Sequence, residues 1–349
     1  MDSRMNNTQA STTNRRGFLA GSAAMAAAGA LPLFSIPRYA RAAEINLKYG
    51  SELPLEHPQV VRIKEAAEAV GKETNGRVNI EVFANGALGS ITDMISQTRS
   101  GAMQMLSVAM ANMTTFDPKA SLSIPYAFRD YDAVWAAMDG DVGAHSRRVI
   151  SRFGLHVFDK MWDHGFRQMT SRVKPIASPD DLKGVKIRVA VVPMYVSLFR
   201  SLGAAPTPIN FSELYTSLQT RVVDGQENSL ALIDSARFYE VQTFVSMTNH
   251  IWEGYVTVFN DAAWKKIPAN LQDTIAKSFA QATLAQRQDM VALSGKLQAQ
   301  LQTKGMKFNQ PDPAPFRKAL TDAGFYKEWR EKFGPESWAV LEKYSGNLA

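Results

Sequence analysis

Asp181-Leu-Lys-Gly-Val-Lys-Ile-Arg-Val189, with the run from Pro193 to Gly203 behind it, spells out one strand–helix unit. Val185, Ile187 and Val189 alternate with Lys186 and Arg188, the two-residue period of a strand. Pro193 opens an apolar helical run, Met194 to Leu202, and Gly203 closes it. A strand leading into a helix is the α/β unit, and in open α/β sheets ligands sit beyond the carboxyl ends of the strands. Arg188 falls near such an end, where a guanidinium can meet a carboxylate through two parallel hydrogen bonds. A solvated arginine at a sheet edge is the plain alternative. The stretch continues through Gly203-Ala-Ala-Pro-Thr-Pro208 and Phe211-Ser-Glu-Leu-Tyr215 to Asp224-Gly-Gln-Glu-Asn228, read as a turn before a helix over 229–238. Asn228 suits the N-cap of that helix.

Outward from this unit, the chain alternates strands and helices. Strands are expected at Glu44–Gly50, Arg77–Phe83 and Met103–Val108, with helices from Pro58 and from Ile91 between them, a β-α-β-α-β lobe. Two helices follow, around Asp130–Met138 and Val142–Phe153. Strands at Leu155–Trp162 and Gly165–Thr170 then stand where a chain would cross between lobes, and Arg167 lies in the second. One long helix is expected between Ala262 and Lys304. The aromatics after it, Phe316, Phe325, Tyr326, Trp329, Phe333 and Trp338, recur at helical spacing and read as core packing.

At the amino terminus, Asn14-Arg15-Arg16-Gly17-Phe18-Leu19 precedes an alanine-rich apolar run and the small-residue triplet Ala40-Arg41-Ala42. This is the order of a twin-arginine export signal over residues 1–42, which implies a periplasmic protein. Those residues hold five of the 39 basic and one of the 33 acidic residues. The 34 basic and 32 acidic residues beyond them leave a net of +2, against +6 for the whole chain. A nucleic-acid partner therefore loses its main support. The chain has no cysteine, hence no disulfide, thiolate metal site or thiol nucleophile. HExxH, P-loop, GxSxG and acidic calcium-loop patterns are missing, and Gly86-Ala-Leu-Gly89 does not complete a dinucleotide fingerprint. The five histidines (His57, His145, His156, His164, His250) show no metal-ligand spacing. No cofactor is expected.

Leu182-Lys-Gly-Val-Lys-Ile-Arg188, Phe211-Ser-Glu-Leu-Tyr215, Val223-Asp-Gly-Gln-Glu-Asn228, and Glu240-Val-Gln242 with Met247-Thr-Asn-His250 together resemble the extracytoplasmic solute-binding proteins of TRAP transporters, the DctP type. Thr74-Asn-Gly-Arg77 and Leu88-Gly89 fit as well, so the resemblance runs over nearly all of the chain beyond the signal. It implies an α/β fold, a two-lobe periplasmic binding protein (type II-like) with hinge strands and a long helix spanning both lobes. Lobe I would comprise 43–164 plus about 254–293, and lobe II 165–253 plus about 294–349. It further implies a non-enzymatic, monomeric protein that captures a small organic acid and delivers it to membrane permease subunits. By the family pattern Arg188 clamps the carboxylate, Arg167 makes a second polar contact, Phe211 stacks, Asn228 supplies an amide, and Glu52 contacts from the first lobe. Glu227 and His250 match the pair that orients the second arginine. Sialic-acid binders carry an amide at the Glu52 position and an acid where this chain has Ala109, so sialic acid is disfavoured. Sugar acids such as uronates are the first expectation and small hydroxy- or dicarboxylates the second. A carboxylate-processing enzyme on a similar frame, or a ligand-sensing partner of a membrane receptor, are the alternatives. The first lacks a nucleophile with an adjacent base.

Overall fold

The computed structural model describes residues 43–348, so the expected export signal lies outside the described residues. Ten strands form one mixed sheet: β1 (Ile45–Ser51), β2 (Val78–Phe83), β3 (Met105–Ala109), β4 (Leu155–Val157), β5 (Trp162–Ser171), β6 (Lys186–Val189), β7 (Ala205–Pro208), β8 (Gly225–Asn228), β9 (Phe244–Asn260) and β10 (Lys307–Asn309). The order along the sheet is β2-β1-β3-β9-β5-β8-β6-β7, with β4 and β10 also paired to β9. At one end β1 lies parallel to β2 and β3; at the other β6 lies parallel to β7 and β8. Each parallel set is the product of strand–helix–strand crossovers, as the alternating sequence pattern requires.

The antiparallel pair β5 and β9 joins the two halves. β9 has 17 residues, roughly 55 Å of extended chain at ~3.3 Å per residue. Its carboxyl-terminal part pairs with β3 and β4, its amino-terminal part with β10. The β5–β9 register slips between Asp163 and Gly165 and again between Arg167 and Met169. These irregularities bend the ladder where the chain passes from half to half.

The Ala269–Thr303 helix, 35 residues long, runs across this junction. It packs on the Pro58–Glu73 helix, on β5 and on the Leu230–Ser235 helix. Arg62 grips Asp289 through Nε (2.7 Å) and Nη2 (2.9 Å). The Gln286 amide closes on the backbone of Asp163, accepting its N–H at 2.9 Å and donating to its carbonyl at 2.7 Å. The expected start at Ala262 is corrected: Asp261–Trp264 is a separate short helix, and Pro268 precedes the long one because proline cannot donate inside it. The six carboxyl-terminal aromatics are all buried in the largest core cluster, with residues of the Tyr131–Met138, Asp141–Ser151 and Pro193–Ser201 helices.

Two strand assignments also change. Leu155–Trp162 is not continuous: Phe158 still donates to Thr257, but the chain then turns outward at exposed Asp159 before β5 begins at Trp162. Gly225–Asn228, expected as a turn, is the central strand β8, hydrogen-bonded to β5 on one side and β6 on the other. Its polar side chains are buried but partnered, which composition alone does not reveal. Ser229, not Asn228, caps the following helix, which runs only over Leu230–Ser235.

Candidate functional site

A small cavity lies at the junction of the halves. Parallel strands of both halves deliver its walls from their carboxyl ends. Glu52 follows β1, and Ala109 ends β3 with Asn112 just beyond; Arg188 stands next to last in β6. Asn210 and Phe211 follow β7, and Asn228 ends β8. The crossing strands contribute Arg167 from β5 with Glu253 and Tyr255 from β9. The structure thus brings Arg188, Arg167, Asn228, Phe211 and Glu52 to one cavity, with Glu227 and His250 behind Arg167. A second cavity, lined by Asn85, Ser90, Tyr215 and Phe238, adjoins the first and shares Glu52, Ile91 and Phe211 with it.

Arg188 is 2% exposed. Its Nε donates to the Ile209 carbonyl at 2.8 Å, and neither terminal nitrogen has a hydrogen-bond partner among the described residues. Burial pulls its pKa down to about 10, partly offset by Glu227 and Glu52, so the guanidinium stays charged at neutral pH. Arg188 lines the cavity, and among the described residues no carboxylate is in salt-bridge contact with it.

Arg167 is held differently. Its Nε and Nη2 donate to the two Glu227 carboxylate oxygens at 2.5 and 2.8 Å, and Nη2 also reaches the Glu227 carbonyl at 2.9 Å. His250 donates from Nε2 to Glu227 Oε2 at 3.2 Å, and the Thr248 hydroxyl meets His250 Nδ1 at 2.8 Å. Burial raises the Glu227 carboxyl, but Arg167 and His250 more than reverse this and leave it at about 2. Burial keeps His250 neutral by lowering its pKa. The guanidinium carbon of Arg167 also lies 5.3 Å from the Tyr195 ring centre.

The remaining walls are polar. His164 Nε2 lies 2.8 Å from Asn228 Oδ1, and Asn228 Nδ2 donates to Gln226 Oε1 at 3.3 Å, which leaves an amide N–H of Asn228 for the cavity. Tyr255 donates to Glu52 Oε1 at 3.2 Å, and burial raises the Glu52 pKa. Phe211 packs edge-on against Phe238. Glu253 accepts the Tyr195 hydroxyl and the Ala111 N–H. Sequence reasoning missed Glu253, Tyr195, Tyr255, Asn112, Asn210 and His164. Glu253 did leave a signal, as the one charged residue in the largely apolar and aromatic run Ile251–Phe259. Among the described residues no group of three or more histidines, cysteines or acids is placed to hold a metal.

A family model described as Bacterial extracellular solute-binding protein, family 7 (DctP), matches residues 49–332. A solute-binding protein of Roseobacter denitrificans is 33% identical over 283 residues, covering 81% of this chain and 86% of that protein. Its crystal structure, a TRAP periplasmic solute-binding protein with bound L-galactonate, superposes with a TM-score of 0.80 at 31% identity, covering 87% and 99% of the two chains. A Sulfurospirillum deleyianum relative with bound succinate has a TM-score of 0.81 at 27% identity, covering 87% and 99%. A Pseudomonas putida relative with bound D-glucuronate has 0.80 at 26%, covering 87% and 98%. These neighbours are binding proteins, not enzymes, and share the two-lobe α/β architecture with its hinge strands and long helix. The chain belongs to bacterial extracellular solute-binding protein family 7, the DctP-type solute-binding proteins of TRAP transporters.

Proposed function

We propose that the protein captures an organic acid of the acid-sugar class in the periplasm and delivers it to the membrane permease of a TRAP transporter. In this reading Arg188 clamps the carboxylate through its two terminal nitrogens, Arg167 and Asn228 add polar contacts, Phe211 stacks on the ligand and Glu52 closes from the first lobe. Glu227 and His250 hold Arg167 in position. The lobes are 43–164 with about 254–293, and 165–253 with about 294–349, and residues 1–42 direct export by the twin-arginine route. The observation that carries the reading is the buried, charged Arg188, whose free nitrogens face a cavity between the two halves. The L-galactonate and D-glucuronate held by relatives support acid sugars, as do the hydroxyl and amide groups of Tyr195, Tyr255, Asn112 and Asn210 around the cavity.

The test is a thermal-shift series on the protein beyond the signal, comparing D-glucuronate and L-galactonate with their methyl esters. A ligand that binds only the folded state raises the melting temperature. Esterification removes a charge-assisted pair worth about 1.5–3 kcal/mol, so the acids are expected to stabilise and the esters not. Equal shifts from acid and ester would sink the clamp.

A further inference from the structure

We propose that Glu253 sets the ligand class of this site: its carboxylate accepts hydrogen bonds donated by hydroxyls of the ligand's carbon chain and repels a second ligand carboxylate. The site then prefers polyhydroxy monoacids over diacids. The inference rests on the cavity being a carboxylate-binding site, as proposed above.

A count of charges leads there. Among the described residues the cavity's cations are Arg188 and Arg167, and its acids are Glu52 and Glu253. Arg167 is already matched by the two-pronged contact with Glu227. That leaves Arg188 as the guanidinium available to a ligand anion, against two lining carboxyls. One ligand carboxylate on Arg188 uses the free cation. A second would find no lysine or unmatched arginine on the cavity wall, and would face acid.

Glu253 is also equipped to read hydroxyls. It is 1% exposed, on the cavity wall at the lobe crossing, paired across the ladder with Gly165. Its Oε1 accepts from the Ala111 N–H at 3.3 Å and its Oε2 from the Tyr195 hydroxyl. A carboxylate has about four lone-pair sites, so both oxygens retain capacity for donors in the cavity. Fixed from two sides, the carboxylate meets a ligand hydroxyl without having to be ordered first. Asn112, on the same wall, has an amide with no hydrogen bond among the described residues.

The groups that face Glu253 give the preference a pH signature. Burial raises its carboxyl to about 7, against the lowering influence of Arg167, the Tyr195 hydroxyl and the Ala111 N–H, while Glu227 adds to the rise. Arg167 stays protonated and Tyr195 neutral throughout this range. Glu52 and Tyr255 complete the ring of titratable groups around the cavity. The repelling charge is therefore mostly present at pH 8 and mostly absent at pH 6.

The experiment is calorimetric titration of the parent and of Glu253→Gln with two matched pairs, galactonate with galactarate and gluconate with glucarate. Within each pair the C2–C5 hydroxyls are the same and only the last carbon changes, from hydroxymethyl to carboxylate. At pH 8 the parent is expected to bind the monoacid at least tenfold more tightly than its diacid. The gap should narrow at pH 6, and narrow at both pH values in Glu253→Gln. Equal affinities within the pairs at pH 8, or a gap indifferent to both pH and the substitution, overturn the role of Glu253 while leaving the carboxylate site intact. If the parent binds none of the four acids and no acid of the thermal-shift series, the underlying reading fails with it. If Glu253→Gln does not fold, the same comparison on Glu52→Gln decides: a gap that still narrows from pH 8 to pH 6 keeps the role with Glu253, and one that no longer does moves it to Glu52.

Discussion

Two arginines of opposite circumstance define the site at the scale of single residues. Arg167 is locked by Glu227, and Arg188 keeps its terminal nitrogens free, so the two should respond differently to substitution. Arg188→Lys retains the charge but cannot supply two parallel N–H donors in a fixed plane. The expected loss is about 1.5–3 kcal/mol, roughly ten- to a hundredfold in dissociation constant. Calorimetry with one good ligand checks this, and binding within about twofold of the parent removes Arg188 as the clamp. Glu227 makes a stability prediction instead. Its carboxyl is at about 2 in the fold against an ordinary 4.5, a depressed acid, so its contribution is complete above pH 4.5 and fades as pH falls toward 2. Glu227→Gln leaves a buried guanidinium without its counter-charge, a loss on the order of 3–5 kcal/mol at neutral pH. Chemical denaturation of parent and variant from pH 7 down to pH 3 should show the difference shrinking on acidification. A difference that stays constant with pH would mean that the carboxylate's charge is not what stabilises.

At the scale of elements, legibility in the sequence followed whether a segment's chemistry matched its surroundings. β6 and the Pro193–Ser201 helix were readable because alternation, an opening proline and a closing glycine all pointed the same way. β8 was not. Gln226, Glu227 and Asn228 look like a surface turn, yet each is paired in the interior with Thr170, Arg167 and His164, partners about 55 to 65 positions away in sequence. Nothing local reports a partner that distant. The β5–β9 crossing was located only roughly for a related reason: its irregular register depends on what the neighbouring strands offer. Arg188, Arg167, Phe211, Asn228 and Glu52 could be named because they sit in runs that resemble a family. Glu253 and Tyr195 could not, since an acid in an apolar strand and a tyrosine on an apolar helix each have an ordinary explanation until they are seen to meet. The proposed site lies where local pattern and interior placement disagree.

At the scale of the whole molecule, the expected route into the cavity is a hinge opening of the two halves. Glu52 and Asn112 come from one half of the sheet, Arg188, Phe211 and Asn228 from the other, and Arg188 is only 2% exposed. With the halves at this spacing, the direct approach of an acid sugar to Arg188 is narrow. The slips in the β5–β9 ladder provide a place to bend, whereas the parallel sets on either side are regular and should move as rigid bodies. The Ala269–Thr303 helix, tied to the first half through Gln286 and Asp289 and packed on the Leu230–Ser235 helix of the second, limits how far they can part. Without ligand, Arg188 faces the cavity with no bound anion, and opening lets water solvate it; a bound carboxylate removes that incentive. We therefore expect ligand to shift the population from open to closed, seen in small-angle scattering as a smaller radius of gyration. The measurement is made at saturating ligand, with binding verified by calorimetry on the same sample. A radius unchanged between the free and saturated protein would count against hinge closure, and would require the ligand to reach Arg188 through the adjoining cavity at Asn85, Ser90 and Tyr215 instead.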